Sequence, residues 1–565
     1  MTGRRRTATG VLAGVLAGLL AATVAGCAGL PTSGPVAQGD AAVDEPGTVF
    51  PLAYSPADGA DPQSIVQGFL AAGAAGLGDN FAVARQFLAG AARSTWQPSQ
   101  GVIVYSSART LDFVKVTGTQ ISVTLPVVAT VDGDGRYTEG PSGAQQGAVF
   151  DLVKNASGQW RISGLDDGVL LSEPIFYSVY RATPLYFLTP ARDLLVPEVR
   201  WFPQRNGATY AVRALLAGPS PWLRDAVATA FPVGTRLAVE SVPVDSDGVA
   251  TVDLNAAVAA ADPGGRALLK AQLARVLQPT LARSVNVTIA GLPMAEPPAA
   301  NVASDPAATL GLEALSGGQI QRLTGATLKP VPGVGSLAGL DPRSPASGPD
   351  GSPQVLLSGP DRLVLAPTPT APARTLLTGT ALLAPSVDRK GWVWTGPTAG
   401  TGTLAVARAD GATVAVGAGW LEGRTVRSIR VSRDGTRIAV VSTGSDGPTI
   451  DIAGVVRDDS GTPQRLGEQV RVGARLTSAT QVTWVDEATL AVLGTSGTMT
   501  GPTMHLVPVT GRTRALPALE GAISIAAGKG ERALYIGSAD GNLHTLQGTS
   551  WVGLVGNVQD PAYPG

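Results

Sequence analysis

The sequence predicts a multidomain chain in which two α+β domains precede an all-β region. Three observations carry this. Apolar residues fall at helical spacing only in short stretches of the first half, and each stretch is followed by strand-like alternation. The last 250 or so residues read as short strands and turns with a recurring unit. The composition agrees: of 565 residues, 71 are Gly and 43 are Pro, while 44% are hydrophobic and only 15% charged. That leaves ample apolar surface for large cores and favours turn-rich β structure over long helices or a coiled coil.

The same composition excludes several classes of function. The formal net charge is −1, and the three charges of the first 26 residues are all Arg, so no basic stripe suited to nucleic acid is visible in the rest. One Cys excludes an internal disulfide and a Cys-based zinc site. Two His, His505 and His544, do not make a His-rich metal site or a His-centred triad.

Residues 1–26 have the layout of a secretory signal. Arg4 to Arg6 are followed by an apolar run from Val11 to Ala25, then Gly26 and Cys27. The run is shorter than the roughly 20 residues a spanning helix needs. Val24-Ala25-Gly26-Cys27 resembles the lipobox of bacterial lipoproteins. That resemblance implies cleavage before Cys27, an S-diacylglycerol thioether and N-acylation, palmitate among the chains. Two or more chains anchor stably where one is marginal, at about 0.8 kcal/mol per buried CH₂. The expected location is the extracytoplasmic side of the cell membrane, anchored by lipid. Residues 27–60 are poor in periodic apolar positions and read as a flexible tether.

Residues 61–180 begin with helical spacing at Ile65, Phe69 and Leu70, resumed at Phe81, Ala84, Phe87 and Leu88 after the break from Gly76 to Asp79. Alternating runs follow at Val114–Val116, Ile121–Val131 and Ala148–Lys154, then Gly158-Gln-Trp-Arg-Ile162. Helices first and a strand meander after them predict an α+β cone. This resembles the NTF2-like fold, where a strand of that kind is common. No Asp/His pair marks the cone as catalytic.

Residues 181–208 form a connector rich in aromatics: Tyr186, Phe187, Trp201 and Phe202, with Tyr177 and Tyr180 just before it. Either a binding platform or an interdomain strand fits them, and the interdomain strand is preferred. Residues 209–295 predict a second module. Tyr210–Leu216 is a helix stopped at Gly218-Pro219. Arg236–Val244 and Val249–Leu254 read as a hairpin around Asp245–Gly248. Leu269, Leu273, Val276 and Thr280 share a helical face, and Val285–Ile289 is a final strand. Leu-Leu-Ala-Gly-Pro, Pro-Val-Gly-Thr, Ala-Thr-Val-Asp-Leu and Gln-Pro-Thr-Leu at these spacings resemble the GerMN domain. The resemblance implies binding or scaffolding in the cell envelope, not catalysis.

In residues 296–565 a strand–turn–strand unit recurs at Ser386–Trp394, Val431–Ala439 and Thr483–Val492, more weakly at Ile525–Tyr535. Asp388, Asp434 and Asp486 stand 46 and 52 residues apart, and Gly530 follows 44 residues later. That is the period of a β-propeller blade, and the span allows five or six blades. In this turn Asp is the cap and Gly supplies the positive φ.

Other motifs fail on context. Leu315-Ser-Gly-Gly-Gln319 spells a transporter-ATPase signature, but no G-x-x-x-x-G-K-[ST] phosphate loop accompanies it. No G-x-S-x-G elbow exists. Asp166-Asp167 and Asp458-Asp459 are adjacent acids whose side chains point apart. Asp245, Asp247 and Asp253 lack the regular ligand spacing of a calcium loop. No catalytic, cofactor or metal residue is expected, and the chain is not expected to be an enzyme.

The order of lipobox, NTF2-like cone, GerMN-like module and propeller resembles that of the actinobacterial LpqB lipoproteins, as do Cys27-Ala-Gly-Leu-Pro-Thr-Ser-Gly-Pro35 and Leu195-Val-Pro-Glu-Val-Arg-Trp-Phe-Pro203. What the resemblance implies is an accessory regulator of the MtrA–MtrB two-component system. It would bind the extracytoplasmic domain of the sensor kinase MtrB and affect envelope homeostasis and division. A peptidoglycan or other cell-wall glycan sensor is the alternative reading, and a propeller hydrolase ranks behind both. The expected partners are therefore membrane lipid through acylated Cys27, MtrB and a wall glycan, with no nucleic acid.

Overall fold

A long helix, α1 (Pro62–Asp79), opens the described part of the chain; the computed structural model describes residues 52–565 apart from 281, 498 and 500. Asp61 starts α1 by accepting from the backbone N–H of Gln63 and Ser64 at 2.9 and 3.1 Å, with Pro62 at the first helical position. Asn80 ends it in the left-handed region. The apolar run from Phe81 to Leu88 forms one short 3₁₀ turn, not a second helix.

Helix α1 packs into a curled sheet of seven strands: β1 (Gly101–Tyr105), β2 (Asp112–Thr117), β3 (Gln120–Asp132), β4 (Tyr137–Glu139), β5 (Gln145–Lys154), β6 (Trp160–Gly164) and β7 (Val169–Ser172). Strand β3 is 13 residues long. Its first half pairs β2 and β5, its second half β1 and β4. One strand shared by two partner sets is what curls the sheet. Phe69, Trp96, Val123, Leu125, Phe150 and Ile162 fill the concave side.

A short helix, α2 (Glu173–Val179), leads into a long hairpin, β8 (Tyr180–Leu188) and β9 (Leu194–Pro203). The connector expected from sequence is this hairpin. Its Leu185, Phe187 and Val196 are buried in one core with α3 (Gly207–Ala217), α4 (Pro221–Arg224), β10 (Val249–Leu254) and α5 (Pro263–Leu277). Strand β10 pairs in parallel with β11 (Ser284–Ile289), and α5 makes the crossover between them. The hairpin expected at 236–254 forms in broken form. Residues 236–244 run antiparallel to β10 through isolated bridges, Leu237 to Leu254 and Val244 to Ala250, and backbone bonds such as Ala238 N–H to the Asp253 carbonyl at 2.8 Å, while the continuous ladder of β10 is with β11. Pro243 has no N–H to give a ladder, and the apolar face of α5 selects β11 as the neighbour.

The C-terminal region is a six-bladed propeller. Blades two to six are consecutive sets of four strands that begin at Pro342, Ser386, Thr425, Leu476 and Ala522, and the outer strands of blades three and four are joined by one parallel bridge, Gly417 to Arg465, into an eight-stranded sheet. Blade one takes three strands from residues 313–330 and its fourth, Gln559–Ala562, from the far end of the chain. The inner strand of each blade packs beside that of the next, and the ring closes through Gln559–Ala562. This closure removes the sheet edges that an open array would expose. Leu315–Gln319 turns out to be the tight turn of blade one, with Gly317 and Gly318 at φ 58° and 74°. The described chain beyond residue 50 forms one compact unit.

Candidate functional site

The turns that carry the repeat are built around buried carboxylates. Asp388 accepts from the backbone N–H of Lys390 and Trp392, from Trp394 Nε1 at 2.9 Å and from Arg457 Nη2 at 2.6 Å. Asp434 accepts from Ser432 Oγ and the Thr436 N–H, both at 2.8 Å, and pairs with Arg437. Burial opposes ionisation of Asp434, but Arg437 and Thr436 hold its carboxyl below the usual carboxylate range. The Arg437 guanidinium is 1% exposed and lies 5.0 Å above the centre of the Trp484 ring. The aspartates are therefore structural, as the turn reading predicts.

Hairpin β8–β9 lies on these same turns. Tyr186 donates its hydroxyl to Glu487 Oε1 at 2.5 Å, Arg437 donates to the Glu487 and Pro197 carbonyls, and Arg389 pairs with Asp193 at 2.7 Å. Trp201 Nε1 reaches the Thr510 carbonyl, and its ring packs on Tyr137 and Phe176 of the first domain. The aromatics of the connector thus lie in an interdomain seam, not on an open platform. Burial pushes the Glu487 carboxyl up, and the Tyr186 bond, Arg437 and Arg275 oppose that only in part.

Two further contacts complete the joint. The Trp222 carbonyl of α4 lies against Gly454 and Gly467 of blade four and the Ala226 methyl against Gly454, where a Cβ would come within 2.8 Å of both. From the first domain, buried Glu139 accepts from the Thr513 N–H and Oγ1 and lies 3.2 Å from Arg475, and Glu173 pairs with Arg512 at 2.7 Å. Burial raises the Glu139 carboxyl despite these donors. Arg136 links the first two domains by donating to Ser220 Oγ.

Between the hairpin turn and the turns of blades three and four lies a polar cleft of about 270 Å³. Thr189, Asp193, Lys390, Arg457, Asp458 and Ser460 line it. It has the size for a small polar ligand, and in its lining the Thr189 and Ser460 hydroxyls donate to Asp193 and Asp458, both at 2.6 Å. Among the described residues no group of three or more His, Cys, Asp or Glu is placed to hold a metal ion. His505 is fully buried in blade five, bonded to Ser496 Oγ and the Thr503 carbonyl. Asp245 caps its local turn, Asp253 accepts from Thr288 Oγ1 and the Gly291 N–H across the β10–β11 pair, and Asp167 accepts from the Gln97 N–H.

Cys27 and the lipobox residues Val24, Ala25 and Gly26 lie outside the described residues. Sequence reasoning singled out Tyr186 with the connector aromatics but missed Glu139, Arg437 and Glu487 as residues of the joint. Of these three, Arg437 left a signal, as a cation three residues after the turn aspartate.

A curled α+β sheet, an α+β module with a parallel β–α–β unit and a closed propeller define a multidomain propeller protein. The comparisons give the class its family. Residues 318–564 match the family described as Lipoprotein LpqB beta-propeller domain, and residues 55–177 match Lipoprotein LpqB, N-terminal domain. Residues 184–294, hairpin included, match the family described as Sporulation and spore germination. The chain is 28% identical to Lipoprotein LpqB of Streptomyces avermitilis over 96% of both chains, and 29% identical to that of Nocardia farcinica over 96% of both. With the protein of Bifidobacterium longum identity is 33%, over 47% of this chain; there the match spans about half the relative's length, 48%. Partial matches of 40% and 46% of the relative's length are found for Thermobifida fusca and Cutibacterium acnes. The chain belongs to the LpqB lipoprotein family. No described helix is long and apolar enough to cross a membrane.

Proposed function

We propose that this lipoprotein is anchored on the extracytoplasmic face of the cell membrane through acylated Cys27 and acts there as a binding regulator, not an enzyme. Its partner in this reading is the extracytoplasmic domain of the sensor kinase MtrB, and its effect is on MtrA–MtrB signalling, envelope homeostasis and division. The supporting observation is the joint: buried side chains from both α+β domains fix them on one side of the propeller, so the described chain presents a single preset surface. Anchoring confines that surface to the membrane face and raises its effective concentration near a membrane kinase. Binding shifts the kinase by unequal affinity for its two signalling states. The proposed domain limits are 61–180, 181–208 with 209–295, and 296–565, behind a signal at 1–26 and a tether at 27–60.

Crosslinking in living cells, wild type against Cys27→Ala, tests this reading. Recovery of MtrB that is lost with the anchor supports it, and absence of MtrB from both overturns the kinase assignment. The polar cleft of about 270 Å³ favours a second reading, a cell-wall glycan sensor. It requires muropeptides to raise the melting temperature, and Lys390→Ala to remove that rise.

A further inference from the structure

The six inner strands of the propeller surround an axial channel, and blade four sends two cations toward it. Arg430 lies on the strand Thr425–Val431 and Arg433 in the turn after it. Both line a small void of about 20 Å³ with Trp484, Ala527, Ala562 and Tyr563. That is room for one occupant of about water size.

The partners of these two guanidinium groups set them apart from the other arginines of the interior. Arg437 pairs with Asp434, Arg457 with Asp388 and Arg200 with Glu198. Arg430 donates only to the carbonyls of Pro385 at 2.9 Å and Ile429 at 3.3 Å. Arg433 donates to the carbonyls of Val485, Trp484, Ala527 and Gly528 at 2.7–3.3 Å. Among the described residues neither has a carboxylate within the 4.0 Å of an ion pair. The acids whose field reaches Arg433 are Asp305 and Asp486, and both are engaged elsewhere. Asp305 pairs with Lys529 at 3.0 Å, and Asp486 accepts from the Ala488 N–H. No acid opposes burial at Arg430, whose pKa falls to about 10, so the group stays charged at neutral pH. Both groups are part-buried, and carbonyl dipoles solvate a cation but leave its charge without a counter-charge.

We infer that this void binds one small monovalent anion of the halide class between Arg430 and Arg433. A water fits the space but brings no charge, and a tetrahedral oxyanion needs more room. The anion would tie blade four to the closing segment at Ala562 and Tyr563, so its occupancy stabilises ring closure.

The test compares the melting temperature of the full chain in sodium chloride, sodium bromide and sodium gluconate at matched ionic strength. A saturable rise with either halide but not with gluconate is expected, and Arg430→Gln should lower the apparent halide affinity at least tenfold. Equal melting temperatures in all three salts would overturn the inference. Should Arg430→Gln not fold, wild-type crystals grown in bromide decide the matter. An anomalous peak within hydrogen-bond range of both guanidinium groups supports the site, and peaks confined to the outer surface refute it.

Discussion

Blades four and one stand on opposite sides of the ring, and each is tied to its surroundings by a buried acid paired with arginine. In blade four the pair is Asp434 with Arg437, and Arg437 continues outward to the carbonyls of Glu487 in blade five and Pro197 in the hairpin. In blade one Glu313 accepts from Arg322 at 2.5 Å and from Ser347 Oγ and Gln354 Nε2 of blade two, at 2.9 and 3.1 Å. The first network joins domains, whereas the second serves the ring alone. The difference teaches that one chemical device, a satisfied buried carboxylate, takes its role from what lies next to it.

Arg437→Ala should have the largest effect. It leaves Asp434 buried without its cation, which costs about 3–5 kcal/mol, and it removes the contact to Pro197. Urea unfolding should show the loss, and limited proteolysis should newly cut the hairpin turn at 189–193. Glu313→Ala should cost about 2 kcal/mol, less because Arg322 is 21% exposed and can turn to water. Its hairpin turn should stay protected; a cut there would break the distinction between the two networks.

Gly454→Ala tests the joint without touching a charge. Its Cβ would press on the Trp222 carbonyl and the Ala226 side chain, for a loss of about 1–3 kcal/mol, read in urea. Wild-type stability would mean that α4 yields freely and the joint is soft.

The pH dependence sharpens the comparison. Glu487 and Glu139 have raised folded pKa values, so relative to an unfolded Glu near about 4.3 they favour the folded state most at low pH. That contribution is lost as pH rises from about 4.3 through the folded values. Asp434 works in the other direction: its contribution is present above an unfolded value of about 3.9 and is lost as pH falls through its depressed folded value. Glu487→Gln keeps an acceptor for Tyr186 and should gain on the wild type as pH increases from 4 to 8. A constant difference across that range would show that Glu487 does not titrate there. The smallest effect belongs to the exposed pair Arg514–Glu531, where Glu531→Gln should change urea stability by less than about 0.5 kcal/mol.

Much of the architecture was legible because it is written in local patterns. The helical spacing of Ile65, Phe69 and Leu70 and of Leu269, Leu273 and Val276 marks α1 and α5, whose buried faces carry those residues. The recurrence of Asp388, Asp434 and Asp486 at blade spacing placed three blades and their turns. Blade one could not be read in the same way, since its fourth strand lies about 230 residues beyond the other three. Residues 236–244 alternate like a strand, but the partner of β10 was decided by α5, which lies between β10 and β11 in sequence.

By itself the sequence determined the order of domains and the turn chemistry of the blades. Those depend on neighbours a few residues apart, and the identities of the residues suffice. The tertiary structure alone decided that Tyr186 meets Glu487, that Glu139 meets Thr513 and that Arg430 has no acid beside it. These partners lie tens to hundreds of residues apart. Whether a buried charge finds a counter-charge is settled only when packing fixes what surrounds it.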